Sequence, residues 1–279
     1  MQNVVHPKSQ TAELTYSETD SLYIPPTQSA DALFSFMPMY DYLEDIILNR
    51  RVCARYCVEQ IDYLELPGIT RIAYPMKCFC DINLHKIHSH IDWYGTFGIA
   101  LCKEWCLKQD IQPIRYINPN SGLRKSLAEA FKSAQSFPIS NDEAVEFLRW
   151  FPVHSLMYVK PYQGKMWHNS RKGYFDKCLT DECEWRYVID VSKDSLPQIL
   201  YEDDMLSSKV MDRLNRALRL KTEYSLNFEY DDVKYIIVNT ESEFDRLAES
   251  IWALDAVETI VRHKLVGKII VWETAKGDF

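Results

Sequence analysis

Glycine and proline are scarce in this chain, 8 and 12 of 279 residues, which excludes a collagen-like or low-complexity polymer. No stretch reaches the roughly 18–20 uninterrupted apolar residues of a membrane span. The opening MQNVVHPKSQTAELTYSETD has neither the basic start nor the apolar core of a signal peptide. A soluble, cytoplasmic protein with no membrane partner is expected. Excess positive charge is also missing: the net charge of −8 argues against bulk electrostatic capture of nucleic acid, though not against a local basic groove. There is no P-loop, dinucleotide GxGxxG, HExxH or GxSxG, so ATP hydrolysis, zinc proteolysis and α/β-hydrolase chemistry lack support.

What is present is a globular composition, 47% hydrophobic and 13% aromatic, long enough for one large domain or two small ones. Residues 1–30 are polar and read as an N-terminal arm; 31–279 read as one domain with no long linker. Short strands alternate with helices. Strands are expected at ALFSF, AYPMKCFCDINL (a strand or a strand plus turn), FGIALC, PIRYIN, SLMYVKPY, ECEWRYVIDV, KYIIV and GKIIVWE. Helices are expected over 41–50, 124–136, 141–150 and 205–221, with residues 51–66 irregular. Asn141 or Asp142 would cap the third helix, and Thr240 with Glu243 forms a capping box for a last long one. The pattern predicts a single α+β domain with a mixed sheet.

The densest chemistry lies in Lys160–Val188. Lys160, Lys165, His168, Arg171 and Lys172 are interleaved with Tyr162, Trp167, Tyr174 and Phe175, and residues 160–172 contain no acid. ECEWRYV follows; as a strand it puts Glu182, Glu184 and Arg186 on one face and Cys183, Trp185 and Tyr187 on the other. Two carboxylates so close cannot both ionise freely unless cations offset them, so one is expected to keep a raised pKa. The eight cysteines fall in short-spaced pairs, with His85, His88 and His90 after the second pair. This spacing fits a zinc site only loosely. Reduced, buried thiols and no bound metal are the expectation.

Glycosyl transfer from NAD suits these residues. Cleaving the nicotinamide–ribose bond develops positive charge that a fixed carboxylate stabilises. Glu184 would supply it; Phe36, Tyr56, Tyr94 and Phe97 are candidates for an aromatic slot, and Arg55 or Lys103 for the pyrophosphate. A metal-dependent nuclease using Asp81, Glu104, Glu182 and Glu184 is the weaker alternative.

The blocks LFSFMPMYDYLEDIIL, ARYCVEQIDYL, YPMKCFCDINL, HIDWYGTFGIALCKEW, PIRYINPNSG, YVKPYQGK, DECEWRYV and GKIIVWETAKGDF, in that order, resemble the AbiGi family of abortive phage-resistance proteins. The resemblance covers roughly residues 31–279. Its members have been labelled the antitoxin half of a phage-defence pair. The layout also resembles the DarT-like ADP-ribosyltransferases that modify nucleic acid. That likeness implies a mostly antiparallel split sheet flanked by helices and NAD as co-substrate. It implies Glu184 as the stabilising carboxylate, with Glu182 completing an E-x-E pair that orients or deprotonates the acceptor, and Arg186 steadying both. Ser35, Phe36, Arg55, Tyr56, Tyr94 and Lys103 would contact NAD, Ser35 standing where that class carries histidine. The loop with Lys165, Trp167, Arg171 and Lys172 would hold RNA or single-stranded DNA, since bases stack on aromatics beside cations that take phosphates. Such a toxin implies an antitoxin or chaperone partner. The competing expectation is a non-catalytic regulator that binds a cognate toxin.

Overall fold

The structure, a computed structural model, describes residues 28–168, 171–191, 193–201 and 205–278. The expected N-terminal arm lies outside the described residues except for Gln28–Ala30, as do positions 169–170 of the basic segment. Runs rich in β-branched and aromatic residues form the strands. In the first part these are β1 (Ala32–Met37), β2 (Arg51–Cys53), β3 (Arg55–Gln60), β4 (Arg71–Cys80), β5 (Phe97–Cys102), β6 (Gln112–Pro113) and β7 (Arg115–Ile117). Next come β8 (Val159–Pro161), β9 (Gln163–His168), β10 (Gly173–Cys178) and β11 (Glu184–Val188), then β12 (Ser225–Asn227), β13 (Val233–Val238) and β14 (Ile269–Val271). Between them lie α1 (Tyr40–Asn49), α2 (His88–Tyr94), α3 (Lys103–Lys108), α4 (Gly122–Ser136) and α5 (Glu143–Leu156). Beyond β11 lie α6 (Ser208–Arg219), α7 (Glu241–Trp252), α8 (Thr259–Val266) and α9 (Trp272–Ala275).

Eight strands form one mixed sheet in the order β14-β13-β5-β1-β4-β11-β6, with β3 on β4 as a branch. β13 and β14 run parallel; the neighbouring pairs β13–β5, β5–β1, β1–β4, β4–β11, β11–β6 and β3–β4 are antiparallel. The branch creates the feature that matters. β11 takes one edge of β4 from Met76 to Cys80. On the opposite edge, β3 pairs along Arg71–Met76 while β1 meets β4 only at Cys80, through Phe34. Between Met76 and Cys80 that edge is shared by no strand, so the sheet forks there.

Register assigns each side chain to a face, because directly opposed residues point the same way. One face carries Tyr74, Met76, Cys78 and Cys80 of β4 with Glu184 and Arg186 of β11. Its apolar part is covered by Phe131 of α4, Leu156 of α5, and Ile87 and Ile91 at α2. The other face carries Leu33, Phe79, Ile99 and Leu101. These pack on Leu43 and Ile47 of α1 and Leu247 and Ile251 of α7.

Local signals hold where they are short-range. Asp142 accepts from Ala144 N and Val145 N to start α5, and the Thr240–Glu243 capping box starts α7. α2 ends at Gly95, whose φ of 120° and tight approach to the Met37 carbonyl leave no room for a Cβ. Several expectations need correction. Residues 51–66, read as irregular, contain β2 and β3, whose pairing with β12 and β4 no local pattern announces. SLMYVKPY is not one strand: α5 runs through Pro152 to Leu156, and only Val159–Pro161 is extended. The basic loop is the hairpin β9–β10, with Trp167 opposite Tyr174 and Asp176 opposite Lys165. ECEWRYV starts as a strand only at Glu184. Glu182 closes a 3-10 turn, and Cys183 adopts φ 42°, the left-handed bend that turns the chain into β11.

Candidate active site at the fork of the sheet

A pocket of about 230 Å³ opens at the fork, lined by β1, β3, β4, α2 and the start of β11. It joins a groove of about 960 Å³ that runs between β3 and the β9–β10 hairpin. Glu59, Lys160 and Met166 line both.

The pocket is built on buried charge. Arg186 is fully buried and uses all three guanidinium nitrogens. Nε donates to Glu184 Oε1 at 2.6 Å, Nη2 to Glu59 Oε2 at 2.9 Å, and Nη1 to Met157 O at 2.7 Å and to the Tyr74 hydroxyl. Lys160, from β8, places Nζ 2.7 Å from Glu184 Oε2 and 2.9 Å from Glu182 Oε2. Lys177, from β10, lies 3.0 Å from Glu182 Oε1, which also accepts from the Tyr94 hydroxyl. Three carboxylates and three cations thus alternate through the fork, and this satisfies charges that would be costly to bury singly.

The expected raised carboxylate is therefore absent. Burial alone would raise the pKa of Glu184, but Arg186 and Lys160 overcome it and hold it well below the ordinary carboxylate range. Burial likewise opposes ionisation of Glu182, and Lys160, Lys177 and the Tyr94 hydroxyl reverse it. Lys160 is driven well above its ordinary value, burial being outweighed by Glu184, Glu59 and Glu182. Glu184 is a fixed anion with one telling detail. Its Oε2 is buried and in ion-pair contact with Lys160, yet receives no aligned hydrogen bond. Glu182, by contrast, has donors on both oxygens.

The structure sorts the sequence candidates by face. Phe36, Arg55, Tyr94, Glu182 and Glu184 line the pocket; Ser35 borders it too, but it stands opposite Ile99 on β5, so its side chain belongs to the apolar face and the expected contact with NAD is not supported. Arg186 lies behind Glu184 and fixes it from below. Tyr56 does not reach the pocket: alternation on β3 sends it to the opposite face, where its hydroxyl donates to Pro197 O at 2.5 Å. Phe97 is core on that same face, edge-on to Tyr40. Lys103 is there too, 2.7 Å from Asp81 and 5.8 Å above the Trp185 ring. It cannot serve a ligand at Glu184.

On the hairpin, Lys165 lines the groove. Trp167 is exposed and packs edge-on to Tyr174. Arg171 lies 3.6 Å from Asp92 of α2 and over the Phe175 ring. Lys172 is exposed at φ 50° in the turn. These four residues do not converge on one spot. Lys165 and Trp167 face outward, whereas Met166, His168 and Lys177 turn inward, the His168 ring tilted against Trp93 at 4.3 Å and bonding Asp92 at 3.0 Å.

Sequence reasoning misses Glu59 and Lys177 altogether, and meets Lys160 only as part of the basic segment and His90 only beside the cysteine pairs. The x-x spacing of Arg55, Cys57 and Glu59 on a strand would have pointed to the first, and GYFDKC read as a strand to Lys177. His90 is buried with Nε2 3.3 Å from the Glu182 carbonyl, and burial lowers its pKa. The acids imagined for a metal do not gather. Asp81 is bound to Lys103, Glu104 is exposed and paired with Lys108, and no group of three metal-ligating side chains forms among the described residues. All eight cysteines are free thiols.

No helix among the described residues is long and apolar enough to cross a membrane. No solved structure matches the chain. Residues 50–239 match the family model described as "Putative abortive phage resistance protein AbiGi, antitoxin", a span that contains Glu59, Lys160, Lys177, Glu182, Glu184 and Arg186. The abortive phage resistance protein AbiGi of Lactococcus lactis subsp. cremoris is 31% identical over 244 residues, covering 81% of this chain and 98% of that protein. With its buried charge network inside the family match and 81% of its length aligned to a 31% identical relative, the chain belongs to the AbiGi family of abortive phage-resistance proteins.

Proposed function

We propose that this chain is the toxic enzyme of a phage-defence pair, transferring a single ADP-ribose from NAD to a base of RNA or single-stranded DNA in the cytoplasm. The observation that carries this reading is the Glu184 carboxylate, buried at the floor of a pocket and held ionised, its Oε1 fixed by Arg186 and its Oε2 turned to the pocket against the single ammonium of Lys160. A carboxylate fixed in this way acts on charge that develops beside it, and exclusion of water strengthens the effect.

When bound, NAD supplies a ribose that becomes positively charged as its bond to nicotinamide breaks and the bonding pair leaves with the ring. The chain's own residues do the rest. Phe36 and Tyr94 offer aromatic walls for the ring, and Arg55, which lines the same pocket, offers charge to the phosphates. Arg186 keeps Glu184 aimed. Glu182, engaged by Tyr94, Lys160 and Lys177, positions these groups and is too firmly ionised to be a strong base. The acceptor would enter along the groove beside Lys165 and Tyr174. Its proton is then lost to solvent through that open side. An enzyme of this kind needs restraint, and a protein antitoxin or chaperone would supply it.

Transfer from labelled NAD to RNA, single-stranded DNA and lysate protein tests the reading, with wild type beside Glu184→Gln. Label that disappears in the variant is expected; no label from folded wild-type protein overturns it. One observation favours a second reading. The family description carries the word antitoxin, and a fully compensated charge network also suits a non-catalytic regulator that binds a toxin. That protein would leave NAD intact and co-purify with its toxin.

A further inference from the structure

Lys160 occupies an unusual place. Its Nζ sits 2.7 Å from Glu184 Oε2, so a cation already stands where the carboxylate would otherwise meet a ligand. Its side chain is 14% exposed and lies where pocket and groove join. Lys160 also has somewhere else to go. Glu182 Oε2 is 2.9 Å away and aligned to accept from it, whereas Glu184 Oε2 is not. Losing the contact with Glu184 would therefore leave the ammonium hydrogen-bonded. Arg186 would still hold Glu184 through Oε1.

A second positive group cannot approach Oε2 closely while Lys160 remains there, because like charges at that separation repel strongly in a water-poor site. A neutral ring of the same shape meets no such penalty. We infer that Lys160 is a movable counterion that shields Glu184 in the empty pocket and must withdraw onto Glu182 when a cationic heteroaromatic ring enters, which makes it the residue that sets the pocket's discrimination between cationic and neutral rings. The inference rests on the transferase reading for the identity of the ring as a pyridinium. It does not rest on turnover.

Lys177 is the natural comparison. It belongs to the same network but contacts Glu182 Oε1, not Glu184. The experiment measures binding of 1-methylnicotinamide, a cation, and nicotinamide, its neutral relative, by calorimetry on the full chain. Wild type, Lys160→Gln, Lys160→Arg and Lys177→Gln are compared, with thermal melting as the check on folding. Lys160→Gln is expected to raise the cation-to-neutral affinity ratio about tenfold or more, while Lys160→Arg and Lys177→Gln keep it within about twofold of wild type. A ratio unchanged in folded Lys160→Gln, or raised equally in Lys177→Gln, overturns the counterion role. Should Lys160→Gln not fold, Lys160→Met takes its place under the same criterion. If both fail to fold, Lys160 is a structural ion-pair residue and the inference is wrong. A raised ratio without any label transfer would overturn the transferase reading alone; transfer with an unchanged ratio would overturn the counterion alone.

Discussion

The two faces of the central sheet differ by one residue of register and by almost everything else. On β11, Glu184 and Arg186 point to the fork, while Trp185 and Tyr187 point to the opposite, apolar side. On β4, Cys78 and Cys80 share the charged face and Phe79 the apolar one. Because alternation has a period of two, a strand can carry a buried ion-pair network and a hydrophobic core at once. The charged face depends on specific partners and the apolar face on filled volume. They should therefore fail in different ways.

The largest effects come from breaking either face at its centre. Arg186→Met leaves Glu59 and Glu184 buried without their shared cation and should cost about 3–5 kcal/mol, the usual range for orphaning one side of a buried ion pair. Phe79→Ala, on the other side, should cost a similar amount, about 3–5 kcal/mol, through the cavity it leaves. Urea denaturation at neutral pH would give both numbers. A loss below about 1 kcal/mol for Arg186→Met would mean that the network adds little, as solvent-exposed pairs do.

Acid then separates the two. Glu184 and Glu182 have depressed folded-state pKa values, so the unfolded chain binds protons first as pH falls. Their stabilisation is complete above the unfolded carboxylate value of about 4.3 and is lost progressively as pH drops below it toward the folded values. Urea midpoints from pH 7 down to about 3 should show the wild-type advantage over Glu184→Gln shrinking with acid. The deficit of Phe79→Ala should stay constant. A wild-type advantage over Glu184→Gln that is flat with pH would contradict the ion-pair account.

A gentler test asks whether being on the wrong face removes a residue from function. Lys103 bridges Asp81 and Ser29 beneath the apolar side of β11. Lys103→Met should lower stability by about 1–3 kcal/mol, since Asp81 keeps its bonds from Ser29 Oγ and Ala30 N. At a temperature where it stays folded, it should leave label transfer and ring binding at wild-type levels. Loss of either would show that the faces communicate.

This division also explains what could be read from sequence. Glu184, Glu182 and Arg186 are legible in the short-range spacing of ECEWRYV, and Tyr94 only as one of four aromatics offered for a slot. Tyr56 and Lys103 were misplaced because choosing a face requires the start and register of a strand. RYCVEQ gains its register only by pairing with β4, some fifteen residues away. Lys160 reads from sequence as a loop cation and Lys177 carries no signal at all, because nothing local says that β8 and β10 will bring both ammonium groups onto Glu182. The fork itself is a property of two strands, β3 and β1, dividing one edge of β4 while β11 holds the other. Composition and periodicity specify strands, but not which of them share an edge.

The smallest effect expected is at Arg246, which joins α7 to α1 through Asp41 and Glu44 and lies 4.1 Å from the Tyr40 ring centroid. On paper it resembles Arg186: one guanidinium, two carboxylates and a tyrosine. The difference is water, since Arg246 and Asp41 are more than half exposed. Solvent screens their attraction, and the long side chains lose rotamer freedom to keep it. Arg246→Ala should therefore shift the melting midpoint only slightly, and about 1 M salt, where screening acts within roughly 3 Å, should erase the electrostatic part of that shift. What survives in salt would be the packing of the guanidinium on Tyr40, which Arg246→Lys should remove while keeping the charge. If Arg246→Ala instead matched Arg186→Met, partner identity rather than burial would govern the strength of these ion pairs, and the contrast between the buried network and the surface would collapse.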